Sequence, residues 1–246
     1  MRVDIKKDYF DSEALGITCL KVDVDPALKG LSLPTLLEEM VKNKYWDFIF
    51  LSTDHSPEFL EGIQREEFRF ISTKNTYQKT ISHSESQITH TFKILLKEEI
   101  RAKYTMGNIS ILASDLVVNS RYWKDIRIGR INAINLYEKW FENSIFRDYA
   151  DEVIGIDLDG RLIGLITLKN KKDSGIIDLI VVSKDKRNCG VGSVLVKEAQ
   201  KYFLNQGLTK IVVETESENI NANNFYIKLG FFMESHRLIF HKQRPS

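Results

Sequence analysis

Cysteine is nearly absent. The 246 residues hold only Cys19 and Cys189, too few for a disulfide framework or a four-ligand structural zinc site. An excess of charge is missing as well: 35 Lys and Arg face 34 Asp and Glu, a formal net charge of +1. That balance removes the electrostatic footprint of a nucleic-acid or acidic-membrane binder. No stretch reaches the roughly 18 apolar residues that a membrane helix needs. The opening Met1-Arg2-Val3-Asp4-Ile5-Lys6-Lys7-Asp8 has no apolar run suited to secretion. No repeat or low-complexity tract occurs, and the histidines (His55, His83, His90, His236, His241) are too scattered to suggest a metal site. The expectation is a cytoplasmic protein with no metal, nucleic-acid or membrane partner.

What is present is the composition of a folded protein, with 43% hydrophobic and 28% charged residues. A chain of this length makes one large domain or two ordinary ones and buries roughly 70–75% of its unfolded surface without staples.

The first 80 residues read as alternating strands and helices. Ile17 to Val22 is a strand. Pro34 opens a helix carrying Leu36, Leu37, Met40 and Val41 at helical spacing. Trp46 to Leu51 contains the unbroken run Phe48-Ile49-Phe50-Leu51, as in a strand covered on both faces. Ser56-Pro57 caps a helix with Phe59, Leu60 and Ile63 on one face, and a strand follows from Phe68 to about Tyr77. This order implies a small α/β unit built on a parallel pair. Residues 78–107 are polar, with His83 to Gln87 loop-like and Thr89 to Leu96 a further strand. The expected organisation is an N-terminal α/β domain over 1–107 and a second domain over 108–246.

In the second part, a helix spans about Ile131 to Ile145, with Ile134, Tyr137, Trp140, Phe141 and Ile145 as its core stripe. Two apolar runs, Val153 to Asp157 and Leu162 to Leu168, meet at Asp159-Gly160, a favoured hairpin dipeptide. Gly175 to Val182 and Lys210 to Thr215 are further strands. Between them lies Lys186-Arg187-Asn188-Cys189-Gly190-Val191-Gly192-Ser193, which leads into a helix with Val191, Val194, Leu195, Ala199, Tyr202 and Phe203 on one side, closed by Gly207. Glycines let main-chain N–H groups crowd around a bulky anion, and a helix start offers unpaired donors and partial positive charge. The pattern is neither a Walker loop, lacking the following Lys-Ser/Thr, nor a dinucleotide fingerprint, lacking a third glycine.

Arg187, Gly190 and Gly192, after a strand and before a long helix, are followed by Asn219-Ile220-Asn221-Ala222-Asn223-Asn224-Phe225-Tyr226-Ile227-Lys228-Leu229-Gly230-Phe231. Together they resemble the two signatures of the GNAT acetyltransferase superfamily, Gln/Arg-x-x-Gly-x-Gly/Ala and Asn-x-x-Ala-x-x-Phe-Tyr-x-Lys-x-Gly-Phe. The resemblance covers roughly residues 108–246. It implies an α/β (α+β) GNAT fold, a mixed central sheet whose two central parallel strands splay apart, here preceded by the smaller domain. It also implies acetyl-CoA as co-substrate. The pyrophosphate would sit on the amides of about Cys189, Gly190, Val191, Gly192 and Ser193, with Arg187 adding charge at the rim and Asn188 also in the cofactor site. The pantetheine arm would bond along Leu179, Ile180, Val181 and Val182 as an added strand does, and Asn219, Ala222 and Asn224 would complete the cofactor site. Tyr226 occupies the position of the general acid that protonates the departing thiolate, and the motif match favours that role over the alternative of a packed helix aromatic. No general base stands out among Glu214, Glu216 and Glu218, and Cys189 reads as a loop residue rather than a nucleophile.

A looser likeness extends over Ser72 to Tyr77, Ser120-Arg121-Tyr122 and Leu136 to Ser144. It resembles the bacterial dTDP-fucosamine acetyltransferases, which acetylate the 4-amino group of a dTDP-4-amino-4,6-dideoxyhexose. On that likeness the sugar nucleotide lies between the domains, Arg121 meets its diphosphate, and Tyr122 or Trp123 stacks on base or sugar. An ion pair with Asp125 is the alternative for Arg121. Another small amine, a protein amine, or a non-catalytic acyl-CoA-binding module are the other functions open to the sequence, and a homodimer is open as the assembly.

Overall fold

The computed structural model describes residues 3–24, 45–53, 57–82 and 91–245. The helix expected at Pro34, the Ser56 cap and the His83 to Gln87 loop lie outside them. In chain order the strands are β1 (Val3–Asp8), β2 (Cys19–Val24), β3 (Phe48–Thr53), β4 (Arg69–Thr80), β5 (Lys93–Leu95), β6 (Glu152–Leu158), β7 (Arg161–Asn170), β8 (Gly175–Val182), β9 (Lys210–Glu216) and β10 (Phe232–Gln243). The helices are α1 (Tyr9–Leu15), α2 (Pro57–Arg65), α3 (Lys97–Lys103), α4 (Met106–Val117), α5 (Arg121–Lys124), α6 (Arg130–Phe146), α7 (Val191–Asn205) and α8 (Ile220–Lys228).

All ten strands join one mixed sheet in the order β1-β2-β3-β10-β4-β9-β8-β7-β6-β5. Among the described residues only β2/β3 and β8/β9 are parallel. The apolar run of β3 is buried on both faces, as expected. Ile49 and Leu51 pack into one core with Ile63 of α2, while Phe48 and Phe50 enter another with Tyr122 of α5 and Leu136 of α6. The same two-sided covering continues across the sheet. Helices α7 and α8 pack Leu195, Phe203 and Tyr226 against Ile211 and Val213, and α4 and α6 pack Leu112 and Phe141 against Leu179 and Val181.

A division at residue 107 does not follow the sheet. Gly107 lies inside α4. Residues before it, in β5, pair with β6 near the far edge, and β4 pairs with β9. The seam is made by β10, which pairs with β3 on one side and β4 on the other. Neither β10 nor the first two elements, β1 and α1, is visible in the sequence pattern. The expected helix stripe is also rotated: the buried residues of α6 are Ala133, Leu136, Phe141, Ser144 and Ile145, and Trp140 sits at the border, donating from Nε1 to Asp178 Oδ2 at 2.8 Å. The hairpin dipeptide turns β6 into β7 with Asp159 at φ 53° and Gly160 at φ 83°, both left-handed as such a two-residue turn requires.

Candidate active site

The parallel pair β8/β9 stays together only from Gly175 opposite Ile211 to Ile177 opposite Val213. Beyond that point the strands part. From Asp178 to Val182 the edge of β8 that faces β9 is without a sheet partner, while its other edge stays bonded to β7. The gap opens into a cleft of about 610 Å³. Main-chain amides and carbonyls on such an edge are preset to hydrogen-bond an extended chain laid along it.

Strand β8 ends at the open mouth of this cleft. Arg187 donates from Nε to the Val182 carbonyl at 3.2 Å and from Nη2 to the Asp115 carbonyl at 3.1 Å, which ties the connection to the end of α4. Asn188 at φ 62° and Gly190 at φ 83° then coil the backbone through two left-handed residues. Helix α7 starts without a side-chain cap at Gly190, so its first-turn N–H donors have no partner from that residue's side chain. A Cβ on Gly192 would stand 3.2 Å from the Phe225 ring, a tight contact that glycine avoids where α7 meets α8. Uncapped donors at the positive end of a fifteen-residue helix suit a phosphate.

Of the residues expected to hold the cofactor, Ile180, Val181, Val182, Arg187, Asn188, Gly190, Gly192, Ser193, Asn219, Ala222 and Asn224 line this one cleft. Leu179 and Val191 do not: Leu179 is buried under α4 and α6, and Val191, the first residue of α7, is buried in the core that α7 forms with the sheet. Cys189 does not reach the cleft either, since its thiol is exposed and lies 3.5 Å from the Arg187 carbonyl. Asn219 has a second task that the motif alone does not reveal. Its Oδ1 caps α8, accepting from the Ala222 N–H at 3.3 Å. Asp115, Leu116 and Asn119 also line the cleft. No sequence signal marks them, because they come from the end of α4 and its exit.

Tyr226 borders the cleft at 3% exposure, with its ring among Tyr77, Phe225 and Phe231. Burial pushes its phenol well above the ordinary value. The group is therefore a neutral hydrogen-bond donor at physiological pH.

On the opposite face of the sheet, beside the splay, the three glutamates each have a partner. Glu214 pairs with Lys74 at 2.8 Å, Glu216 accepts from Ser72, and Glu218 lies 3.0 Å from Lys124. Arg121 makes no ion pair with Asp125. It donates from Nη2 to the Tyr122 hydroxyl at 2.5 Å, while Asp11 and Glu216 supply its counter-charge. Asp125 instead binds Arg127 and His241. Its charge is thus balanced inside the fold, which argues against the expected contact with a substrate diphosphate. Tyr122 is 2% exposed, with its ring edge-on to Phe50 and its hydroxyl donating to Asp11 Oδ2 at 2.6 Å. That ring has no face left to stack on a base. Trp123, the other stacking residue expected, has Arg130 above its ring at 4.8 Å. The same burial, joined by the charge of Asp8, raises the Asp11 carboxyl to about 6. Asp11 comes from α1, an element the sequence reading missed.

A sheet parted at one parallel pair, with an uncapped helix start at the mouth and a buried phenol at its border, gives a strand-lined cleft suited to an extended ligand that carries a phosphate. Residues 118–231 match the model of the Acetyltransferase (GNAT) family. Streptothricin acetyltransferase of Escherichia coli is 32% identical over 114 residues, which is 46% of this chain and 66% of that protein. Spore coat polysaccharide biosynthesis protein SpsD of Bacillus subtilis is 23% identical over 130 residues, 53% of this chain and 45% of that protein. The chain thus spans less than two thirds of the length of these curated relatives. A solved GCN5-related N-acetyltransferase from Sphaerobacter thermophilus shares the fold, with a TM-score of 0.58 at 14% identity, over 99% of this chain and 77% of that one.

Proposed function

We propose that the protein is an N-acetyltransferase that moves the acetyl group of acetyl-CoA to the amino group of a nucleotide-linked amino sugar. The observation that carries the reading is the coincidence of three features in one cleft: the open edge of β8, the glycine turn before α7, and Tyr226.

The reaction is direct attack. The amine lone pair adds to the thioester carbonyl carbon, the carbon–sulfur bond breaks, and the sulfur takes a proton as the amide forms. Main-chain N–H groups at the start of α7 hold the pyrophosphate, and the edge of β8 holds the pantetheine arm. Tyr226 gives the sulfur its proton. The proton released from nitrogen passes through water to Glu214 or Glu216, both on the acceptor side of the splay; an amine of pKa near about 8 lowers that demand.

The acceptor is the finer part of the reading. A small molecule is favoured by the streptothricin acetyltransferase relative, and a sugar by SpsD, whose name places it in polysaccharide biosynthesis. Calorimetry with coenzyme A, then thiol release over dTDP- and UDP-amino sugars, polyamines and peptides, tests both levels. Heat with the coenzyme and turnover of the nucleotide sugars are expected. No heat removes the acetyl-CoA assignment, and turnover confined to peptides removes the acceptor assignment.

A further inference from the structure

Across the middle of the sheet, Arg237 of β10 stands directly opposite Lys74 of β4, and Lys74 directly opposite Glu216 of β9. Residues opposite one another in antiparallel strands project on the same face. The row therefore crosses three strands on the face away from α7 and α8 and ends at Glu216, beside the splay. With strands about 4.8 Å apart, Arg237 and Glu216 are separated by about 10 Å.

The charges along this row differ in how they are matched. Lys74 is paired with Glu214, and Glu216 holds Ser72. Among the described residues Arg237 is held by neutral groups alone. Its Nε donates to Ser52 Oγ at 2.7 Å, and its Nη2 donates to the carbonyls of Ser52 at 2.8 Å and Val24 at 3.0 Å. Among the described residues no carboxylate lies within ion-pair distance of it, Asp23 on the neighbouring strand included, and none takes up Nη1. The side chain is half-buried and Ser52 beneath it is 6% exposed. A guanidinium fixed by three neutral acceptors, with Nη1 still offering its hydrogens, is oriented to donate a charge-assisted hydrogen bond to an anion. Arg121, by contrast, already faces Asp11 and Glu216.

We propose that Arg237 is the anion-binding residue of the acceptor site, and that the acceptor is an amine bearing a phosphate or diphosphate about 10 Å from the nitrogen. This rests on the acetyl-transfer reading for the position of the amine. The carboxylates Glu214 and Glu216 draw the amino group to the splay, and Arg237 holds the anionic end two strands away. The site selects against polyamines, whose second charge would meet a guanidinium of the same sign.

The test uses the whole chain with coenzyme A saturating, so that the glycine turn is filled, and titrates in inorganic pyrophosphate by calorimetry. Pyrophosphate is expected to bind, with at least about tenfold loss in Arg237→Gln, since a charged hydrogen bond is worth that much. Arg237→Lys, which keeps the charge on a similar stem, is expected to lose less. Succinate is the control for a carboxylate source, and tighter binding of succinate than of pyrophosphate overturns the phosphate class. In turnover, Arg237→Gln is expected to raise KM for dTDP-amino sugars at least about tenfold, leaving KM for acetyl-CoA unchanged. Equal pyrophosphate affinity in wild type and Arg237→Gln overturns the proposal, as does an adventitious ion only, bound elsewhere. Absence of heat with coenzyme A strikes the acetyl-CoA reading instead, and the pyrophosphate comparison still decides the role of Arg237.

Discussion

Tyr77 of β4 donates its hydroxyl to Asn223 Oδ1 of α8 at 2.8 Å, and that single amide joins three pieces of the cleft. Asn75 donates to the same oxygen at 2.9 Å. The Asn223 Nδ2 donates to the carbonyls of Glu216, Ser217 and Asn219, at 3.0, 3.1 and 2.7 Å. Strand β4, the β9–α8 connection and the helix that carries Tyr226 are thereby locked together. Asn223→Leu keeps the volume but strands a hydroxyl and an amide with no acceptor. A loss of about 2 kcal/mol in unfolding free energy is expected, with a higher KM for acetyl-CoA because Asn219 loses its restraint. Denaturant titration alongside initial-rate kinetics checks both, and an unchanged KM would show that the clamp does not position Asn219.

Tyr226→Phe deletes one oxygen from a ring that is otherwise held by Tyr77, Phe225 and Phe231. Packing survives, so the melting temperature and coenzyme A affinity should stay near those of the wild type. Turnover should fall about 10²-fold or more, the size of a general-acid contribution. Wild-type turnover in this variant would return Tyr226 to the role of a core aromatic.

Gly190 and Gly192 should respond differently to substitution, although both belong to one turn. A Cβ at Gly190 meets nothing within 4 Å, but its φ of 83° is left-handed. Gly190→Ala should therefore cost about 1–2 kcal/mol of stability through backbone strain alone. Gly192→Val would instead press on the Phe225 ring, which borders the cleft. Its expected signature is coenzyme A binding weakened at least about tenfold, read by calorimetry. Native affinity in Gly192→Val would mean that this turn does not cradle the coenzyme.

The readable parts of the molecule are those whose cause is local. The glycine turn could be placed because left-handed residues and an uncapped helix start need particular residue types at particular spacings. The run in β3 could be placed because burial on both faces demands continuous apolar residues. Strand β10 could not, since Phe232 to His236 are exposed and alternate no hydrophobic pattern. Its place between β3 and β4 depends on partners more than 150 residues earlier. Asp11 was invisible for the same reason: its contact with Tyr122 spans 111 residues. Arg121 shows the limit from the other side, because a residue type that suits a diphosphate also suits two buried carboxylates. Only the neighbours decide between them.

His241 gives the fold a predictable response to acid. Its imidazole is fully buried, packed 4.6 Å from the Phe50 ring, with Nδ1 placed 2.9 Å from Asp125 Oδ2; that contact assigns the proton to Nδ1. Burial lowers its pKa to about 4, with Arg121 and Arg127 adding to the effect and Asp125 only partly opposing it. The unfolded chain takes up this proton near the ordinary value of 6.5. Between those two values the unfolded state binds more protons at His241 than the folded one, so the His241 contribution to stability falls as pH drops from about 6.5 to about 4 and is flat above. The cost approaches about 3 kcal/mol at the acid end. In His241→Phe, Asp125 keeps Arg127 at 2.8 and 2.6 Å, and this part of the acid sensitivity should vanish. Urea unfolding at pH 7.5, 6 and 5 measures the slope, and an identical slope in the variant would move the titrating group away from His241.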